Sequence, residues 1–147
     1  ILLIDGSPDY VKIADSYFLF DFLEIDPKEF SNDDGQDERV LALEFFIQYW
    51  IDRFKSMREG EEKFFPFDLS DQYVSGLRID KRSDGCFLQP AYTVELAGCG
   101  INVSTLDRAL RRSPKGHLKN ESVKFQLSKQ EILSGLDLSI QKLKEML

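Results

Sequence analysis

The sequence is poor in the residues that most often mark a chemical site. Its 147 residues include only two cysteines and one histidine. Two cysteines are too few for a disulfide scaffold, and a lone distant histidine lacks the paired ligand spacing of a zinc site. No apolar run has transmembrane length, and no signal peptide is recognisable, although a chain beginning with Ile1 leaves open whether residues precede it. We expect a cytoplasmic protein with reduced thiols and no metal or other cofactor.

Basic residues are scarce in the first half of the chain. Residues 1–72 hold 18 acidic and 7 basic residues, a balance of −11, whereas residues 73–147 hold 8 and 12, a balance of +4. An acidic surface repels phosphate, so the charge disfavours nucleic acid and favours a basic protein partner. The basic stretch "RALRRSPKGHLK" could bind phosphate or RNA, or be a solvated helix end; without interleaved aromatics it does not favour nucleic-acid binding.

The remaining composition predicts a packed globular core. Hydrophobic residues make up 42% and aromatic residues 12% of the chain, which argues against disorder. The length suits one domain, and we assign residues 1–147 to it. The order of elements predicts an α+β fold, with an antiparallel sheet, two long helices and one short helix.

Two segments carry strong helical periodicity. Residues 37 to about 58 place apolar side chains on one arc, with Glu44, Gln48 and Asp52 opposite. A second stripe, Leu41, Phe45 and Tyr49, either packs under a loop or forms an exposed contact surface. Residues 129–147 form the other long helix, with a capping box made by Ser128 and Glu131. Its apolar stripe consists of Ile132, Leu136, Ile140, Leu143 and Leu147.

Strand signals occupy most of the remaining chain. "ILLI" predicts a short buried strand, and residues 10–25 are ambiguous but favour strands because Phe18, Phe20 and Phe22 alternate. Pro66 indicates an edge or irregular strand. A hairpin is predicted to turn at residues 83–85. Its arms carry Leu77 and Ile79 on one side and Tyr92, Val94 and Leu96 on the other. Val123, Phe125 and Leu127 share one face of a later strand, and Ser104 or Thr105 is expected to cap the short helix.

The stretch "DFLEIDPKEFSNDDGQDE" at residues 21–38 holds eight carboxylates and one lysine. A calcium loop centred on Gly35 would need carboxylates where Phe30 and Leu41 stand, so an EF-hand is excluded. Asp33, Asp34, Asp37 and Glu38 can cap the following helix and complement its dipole. Glu24, Asp26 and Glu29 have no such local role.

Two catalytic hypotheses were weighed. Asp21 and Glu24 could form a carboxylate pair, but strand alternation would put them on opposite faces. Cys99 lies in "GCG" before a helix, where backbone N–H groups could stabilise a thiolate, and His117 could serve as its base. The sequence lacks a recognisable Cys/His spacing, so we expect no catalytic residues and keep a Cys99-dependent hydrolase as an alternative.

Docking of a partner is the hypothesis that the charge layout favours. Carboxylates speed the encounter with a basic protein, while aromatic anchors provide most of the binding energy. The predicted partner-binding residues are Glu24, Asp26, Glu29, Asp33, Asp34, Asp37, Glu38, Leu41, Phe45 and Tyr49.

In "DFLEIDPKEFSNDDGQDE", "LEFFIQYW" and "FPFDLSDQYVSGLRI" the chain resembles the small acidic immunity proteins of bacterial toxin systems, including contact-dependent growth inhibition. The resemblance covers roughly half the chain and involves no fixed motif. It implies a cytoplasmic protein, monomeric when free, that neutralises a basic, possibly nuclease, toxin. A resemblance to acidic type III secretion chaperones is the alternative, and it implies a homodimer that binds unfolded segments.

Overall fold

The computed structural model describes residues 2–3, 11–12, 18–30, 38–112 and 118–145. Over these residues the fold is α+β with an antiparallel sheet, which confirms the predicted class. In chain order the elements are β1 (Leu2–Leu3), β2 (Val11–Lys12), α1 (Leu19–Leu23), a 3-10 helix (Pro27–Phe30), α2 (Glu38–Lys55), β3 (Glu62–Leu69), β4 (Val74–Arg82), β5 (Gly85–Thr93), a second 3-10 helix (Gly98–Gly100), α3 (Leu106–Arg112), β6 (Lys119–Asn120), β7 (Phe125–Leu127) and α4 (Lys129–Glu145).

The main sheet is an antiparallel meander of β3, β4 and β5, whose far side is shared by two short strands. Both β6 and β7 pair with β5, one near each of its ends. The β4–β5 hairpin turns through residues 83 and 84, which confirms the predicted turn. Gly85 closes it with φ of +140°, in a backbone region that favours glycine over residues with a Cβ. The small β1–β2 pair forms a separate two-stranded sheet.

Strand β3 lies at the edge of the sheet and is irregular, as Pro66 predicted. The register against β4 shifts between Pro66 and Asp68, so Phe67 is the extra residue of a β-bulge. Directly opposite Pro66 lies Gly76, where an added Cβ would stand 2.1 Å from the Phe65 carbonyl oxygen. The two backbones therefore approach closely enough that only glycine fits.

Helix α2 covers the open edge of β3 with hydrogen bonds from its side chains. The indole Nε1 of Trp50 donates to the Pro66 carbonyl oxygen at 2.9 Å, and Nε of Arg53 donates to that of Phe64 at 3.0 Å. An uncovered edge would offer its backbone groups to another strand. These bonds satisfy two carbonyls of that edge and fix the direction of α2 across the sheet.

The C-terminal end of α2 is capped from the sheet. Nζ of Lys81, on β4, donates to the carbonyl oxygens of Phe54 at 3.2 Å and Met57 at 2.8 Å. A cation at a helix C-terminus satisfies carbonyls that lack an intrahelical partner and complements the helix dipole. Lys81 thus ties the end of α2 to the sheet through Phe54 and Met57, two residues whose side chains are buried in the core.

One hydrophobic cluster joins α1, α2, the sheet, the segment before α3, and α4. Its fully buried members each contribute roughly 1.5–3 kcal/mol relative to exposure. The largest are Phe22, Phe54, Phe65, Leu69, Ile79 and Leu106.

Helix α4 begins with the predicted capping box. The Ser128 N–H donates to Glu131 Oε2 at 2.7 Å, and the Glu131 N–H donates to Ser128 Oγ at 3.1 Å. The hydrogen bond from the Ser128 N–H, with a further contribution from the Ser128 side chain, holds the pKa of the Glu131 carboxyl below its usual value. Ile132 is buried, whereas the stripe residues that follow are half-buried, and Leu147 lies outside the described residues. Helix α4 packs against α2, with Lys144 paired to Glu44 at 2.9 Å.

The favoured strand assignment for residues 10–25 was wrong over residues 19–23, which form α1. The N–H of Phe22 donates to the Phe18 carbonyl oxygen at 2.8 Å, and Leu19 and Phe22, three residues apart, are buried. Phe22 packs edge-on against Phe46 of α2, with ring centroids 5.8 Å apart. Packing of Leu19 and Phe22 into the core therefore favours a helical turn here over the strand that the alternating phenylalanines suggest.

The predicted length of β5 was also wrong. The apolar alternation through Tyr92, Val94 and Leu96 does not extend β5, which ends at Thr93; Val94 is 62% exposed. Thr93 Oγ1 accepts the Glu95 N–H at 3.2 Å, which turns the chain.

The cap of α3 is Asn102 rather than Ser104 or Thr105. Asn102 Oδ1 accepts the Thr105 N–H at 2.9 Å, and Thr105 Oγ1 accepts the Asn102 N–H at 2.9 Å. This reciprocal pair has the pattern of a capping box, with threonine in the place of the usual glutamate.

Candidate binding site

A groove of about 830 Å³ lies between the α1 region and α2. We call it the acidic groove. One wall comes from the end of α1 and the first 3-10 helix, the other from the outer face of α2, and one residue comes from the segment before α3. The lining residues are Leu23, Glu24, Ile25, Glu29, Phe45, Gln48, Tyr49, Asp52, Arg53, Ser56 and Val103. Four of the predicted partner-binding residues, Glu24, Glu29, Phe45 and Tyr49, are brought together here.

Glu24 ends α1 and ties this wall to the segment before α3. Its backbone is left-handed, with φ of 59°, and its carboxylate accepts hydrogen bonds from Asn102 Nδ2 at 3.1 Å and from the Ser104 hydroxyl. The Val103 N–H donates to the Phe22 carbonyl oxygen at 2.8 Å nearby. Glu24 therefore has a structural role through residues 78 and 80 positions away, which the sequence did not reveal.

Asp26 and Glu29 differ in what they do. Asp26 Oδ1 accepts the Lys28 N–H at 3.0 Å, a local turn that leads into the 3-10 helix, so Asp26 also has a structural role that the sequence did not reveal. Glu29 is exposed and lines the groove. Of these three acids, Glu29 alone makes no side-chain hydrogen bond or ion pair with the residues that the structure describes.

The α2 wall presents an aromatic residue and a carboxylate on one face. Phe45 is 49% exposed, and Gln48 Nε2 donates to Asp52 Oδ1 at 2.9 Å one turn further on. Glu38 and Leu41 are half-buried in the first turn of α2, before the groove begins. The predicted residues Asp33, Asp34 and Asp37 lie outside the described residues.

Tyr49 lies at the border between the groove and the core. Its ring packs edge-on against Phe22 at 5.5 Å and stacks beside Phe46 at 6.5 Å, so within the predicted stripe it packs under α1 while Phe45 is exposed. Its hydroxyl oxygen is buried and has no hydrogen-bond partner among the residues that the structure describes. Burial raises the pKa of the Tyr49 phenol, because the charged form would lose its hydration.

Arg53 brings a positive charge to the groove floor, but this charge is already paired. Its guanidinium makes two bonds to the Asp107 carboxylate, at 3.0 and 2.5 Å, and lies over the rings of Phe65 and Tyr49, 5.4 and 6.0 Å from their centroids. The hydrogen bond from Arg53 holds the pKa of Asp107 below its ordinary value. No local sequence pattern indicates this pair, because the partners stand 54 residues apart.

The groove therefore has an unbalanced negative charge on both walls. Glu24 and Glu29 line it on one side and Asp52 on the other, while Arg53, the one cation among its described lining residues, is paired with Asp107. Phe45, Leu23 and Val103 add apolar surface. Carboxylates on two sides of an aromatic-lined cleft suit an arginine or lysine side chain, which offers both a charge and an apolar stem.

The described residues do not complete the cysteine site that the sequence suggested. Cys99 is exposed in the second 3-10 helix, and the base proposed for it, His117, lies outside the described residues, so that hypothesis stays a prediction. Cys86 is buried, which raises the pKa of its thiol, and the two cysteines are free rather than joined in a disulfide. Within the described residues there is no cluster of three or more histidine, cysteine or acidic side chains placed to hold a metal ion.

Comparisons with protein-family models, with curated proteins and with solved structures each return no match for this chain. Among the helices that the structure describes, none is both long and apolar enough to cross a membrane.

Proposed function

We propose that this protein is a non-catalytic binding protein whose acidic groove receives a basic segment of a protein partner. The observation that carries the proposal is the convergence of Glu24, Glu29 and Asp52 from two walls around the exposed ring of Phe45. These three acids are exposed to solvent, but they line one open groove together with Phe45. The long-range field would speed association, and Phe45 would provide an apolar anchor.

The most specific form of this function is that of an immunity protein that neutralises a cognate basic toxin in the cytoplasm. The resemblance noted in the sequence supports this form, together with the balance of −11 over residues 1–72. Such a protein would act without a cofactor and would be a monomer until it meets the toxin. Binding would block the toxin by covering a basic surface.

A labelled hexa-arginine peptide tests the groove without knowledge of the partner. We expect the double variant Glu29→Gln/Asp52→Asn to weaken binding about tenfold, because two charge contacts of roughly 0.5–1 kcal/mol each are removed. The matched control is Asp137→Asn/Glu145→Gln, which removes the same charge from exposed positions on α4. Equal losses in both double variants would mean that overall acidity, and not the groove, binds the peptide.

A kinetic experiment tests the toxin-binding form. The natural candidate partner is a toxin encoded beside this protein's gene, and its association rate is measured between low and physiological salt. We expect a steep slowing with salt, since charges at the rim of an interface act mainly on the on-rate. Phe45→Ala should instead raise the dissociation rate. An association rate indifferent to salt would contradict the electrostatic part of the proposal.

A further inference from the structure

A second pocket, of about 420 Å³, opens beside α3. We call it the α3 pocket. The segment before α3 separates it from the acidic groove, since Val103 lines the groove while Gly100 and Thr105 line the pocket. Its lining residues are Glu95, Leu96, Gly100, Thr105, Arg108, Ala109 and Arg112.

Two arginines dominate the chemistry of the α3 pocket. Arg108 and Arg112 stand four residues apart on α3, so both project from the same face of the helix. Both are exposed, and neither makes a hydrogen bond or ion pair within the part of the chain that the structure describes. Arg111 differs, because its charge acts on Asp107, the partner of Arg53. Positive charge at the last turn of a helix complements its dipole, but that role does not require the two arginines to enclose a cavity.

The remaining lining residues limit which anion fits. Glu95 lines the same pocket as the two arginines, and apolar residues line it as well, which suits an anion with an apolar part better than a fully hydrated ion such as phosphate. The Thr105 hydroxyl is occupied by Asn102, to whose Oδ1 it lies at 2.8 Å. Leu96 and Ala109 are half-buried and provide an apolar side. A guanidinium fork binds a carboxylate through two parallel bonds.

We propose that the α3 pocket binds an aliphatic monocarboxylate, with its carboxylate on Arg108 and Arg112 and its apolar part against Leu96 and Ala109. This chemistry is shared by a small branched acid and by the C-terminus of a peptide that ends in an apolar residue. The site is independent of the acidic groove and of the toxin-binding proposal. An added Cβ at Gly100 would meet no atom within 4 Å, so a larger side chain can be placed at this position of the lining.

The test is a titration followed by the backbone amide signals of Gly100 and Ala109, with Gly135 on α4 as the remote reference. The probes are 4-methylpentanoate, acetyl-Gly-Leu with a free carboxylate, its C-terminal amide, and inorganic phosphate. We expect saturable shifts with a dissociation constant on the order of 1 mM for the first two probes and none for the amide. Tighter binding of acetyl-Gly-Leu would identify a peptide terminus, and tighter binding of 4-methylpentanoate a free acid.

Variants distinguish binding in the α3 pocket from non-specific attraction of an anion to the positive charge of α3. Arg108→Gln/Arg112→Gln should weaken binding at least about tenfold, whereas Arg111→Gln, on the same helix, should change it less than about twofold. Gly100→Leu keeps both arginines but fills the pocket, and it should abolish binding; Gly135→Leu is its control. The proposal is overturned by linear shifts, by equal shifts with the amide, by tighter binding of phosphate, or by equal losses in Arg111→Gln.

Discussion

The two faces of α2 both carry aromatic and charged side chains, but those side chains have different roles. On the inner face, Trp50 and Arg53 give their polar groups to carbonyls of β3, and Arg53 also binds Asp107. On the outer face, Phe45 is half-exposed and Asp52 bonds to Gln48 one turn away on the same helix. Side chains that bind distant segments stabilise the fold, whereas Asp52 bonds within its own helix and is exposed on the groove side.

The largest difference between the faces should appear on replacing Arg53 with Met. We expect a loss of about 3 kcal/mol in the free energy of unfolding, because Asp107 and the Phe64 carbonyl both lose their partner. Urea unfolding measures it. Arg58→Met, at an exposed position just after α2, should change stability by less than about 0.5 kcal/mol. Similar losses of unfolding free energy for Arg53→Met and Arg58→Met would contradict the structural role of Arg53.

Trp50→Phe should cost about 1–2 kcal/mol, since it removes the donor to the Pro66 carbonyl oxygen and leaves a small cavity beside Phe65. Phe45→Leu is the matched aromatic change on the outer face and should lie within about 0.5 kcal/mol of the parent. The same urea series compares them. If Phe45→Leu cost as much as Trp50→Phe, the outer face would be part of the core.

Tyr49→Phe should raise stability by about 0.5–1 kcal/mol, because it deletes a buried hydroxyl that has no partner. The pH dependence has a definite sign. Since burial raises the pKa of Tyr49, its ionisation costs no stability below the unfolded value of about 10, and stability falls as pH rises from there through the folded pKa. Thermal unfolding above pH 10 should show that Tyr49→Phe lacks this loss. A destabilised variant at neutral pH would imply a hydrogen bond to the hydroxyl.

A smaller effect is expected at acid pH from Asp107. Its pKa is held below the ordinary value, so the stability it contributes is present above the unfolded value of about 3.9 and is lost as pH falls through the folded pKa. The carboxylate is 43% exposed, so solvent screening reduces the effect. Asp107→Asn should flatten stability against pH below pH 4, and Asp137→Asn should not. Parallel curves for the parent and Asp107→Asn would contradict the linkage.

The smallest effect on stability should come from the groove acids. Glu29→Gln/Asp52→Asn should unfold within about 0.5 kcal/mol of the parent, even though the same variant is expected to bind hexa-arginine about tenfold more weakly. Reduced like-charge repulsion offsets the weaker hydrogen bond from Gln48, which the amide oxygen of the introduced asparagine can still accept. A large stability change would place these acids in the structure of the fold and weaken the case for a docking groove.

Sequence patterns predicted the elements that rest on local periodicity and missed the contacts that join distant segments. The α2 and α4 helices, the capping box at Ser128 and the turn before Gly85 were all predicted correctly, since each depends on residues only a few positions apart. The site was predicted in part. Glu29 and Phe45 line the groove as exposed residues, but Asp52 was read as ordinary solvated surface, and its position opposite Glu29 depends on how α1 docks on α2.

The sequence by itself determined the fold class, the charge asymmetry and the two long helices, because amphipathic repeats and capping residues act over one or two turns. Only the tertiary structure decided that residues 19–23 are helical and that Arg53 reaches Asp107. A five-residue helix is too short to be stable alone, so its conformation follows from the core into which Phe22 packs. The groove exists for the same reason, since its walls come from segments that only folding brings together.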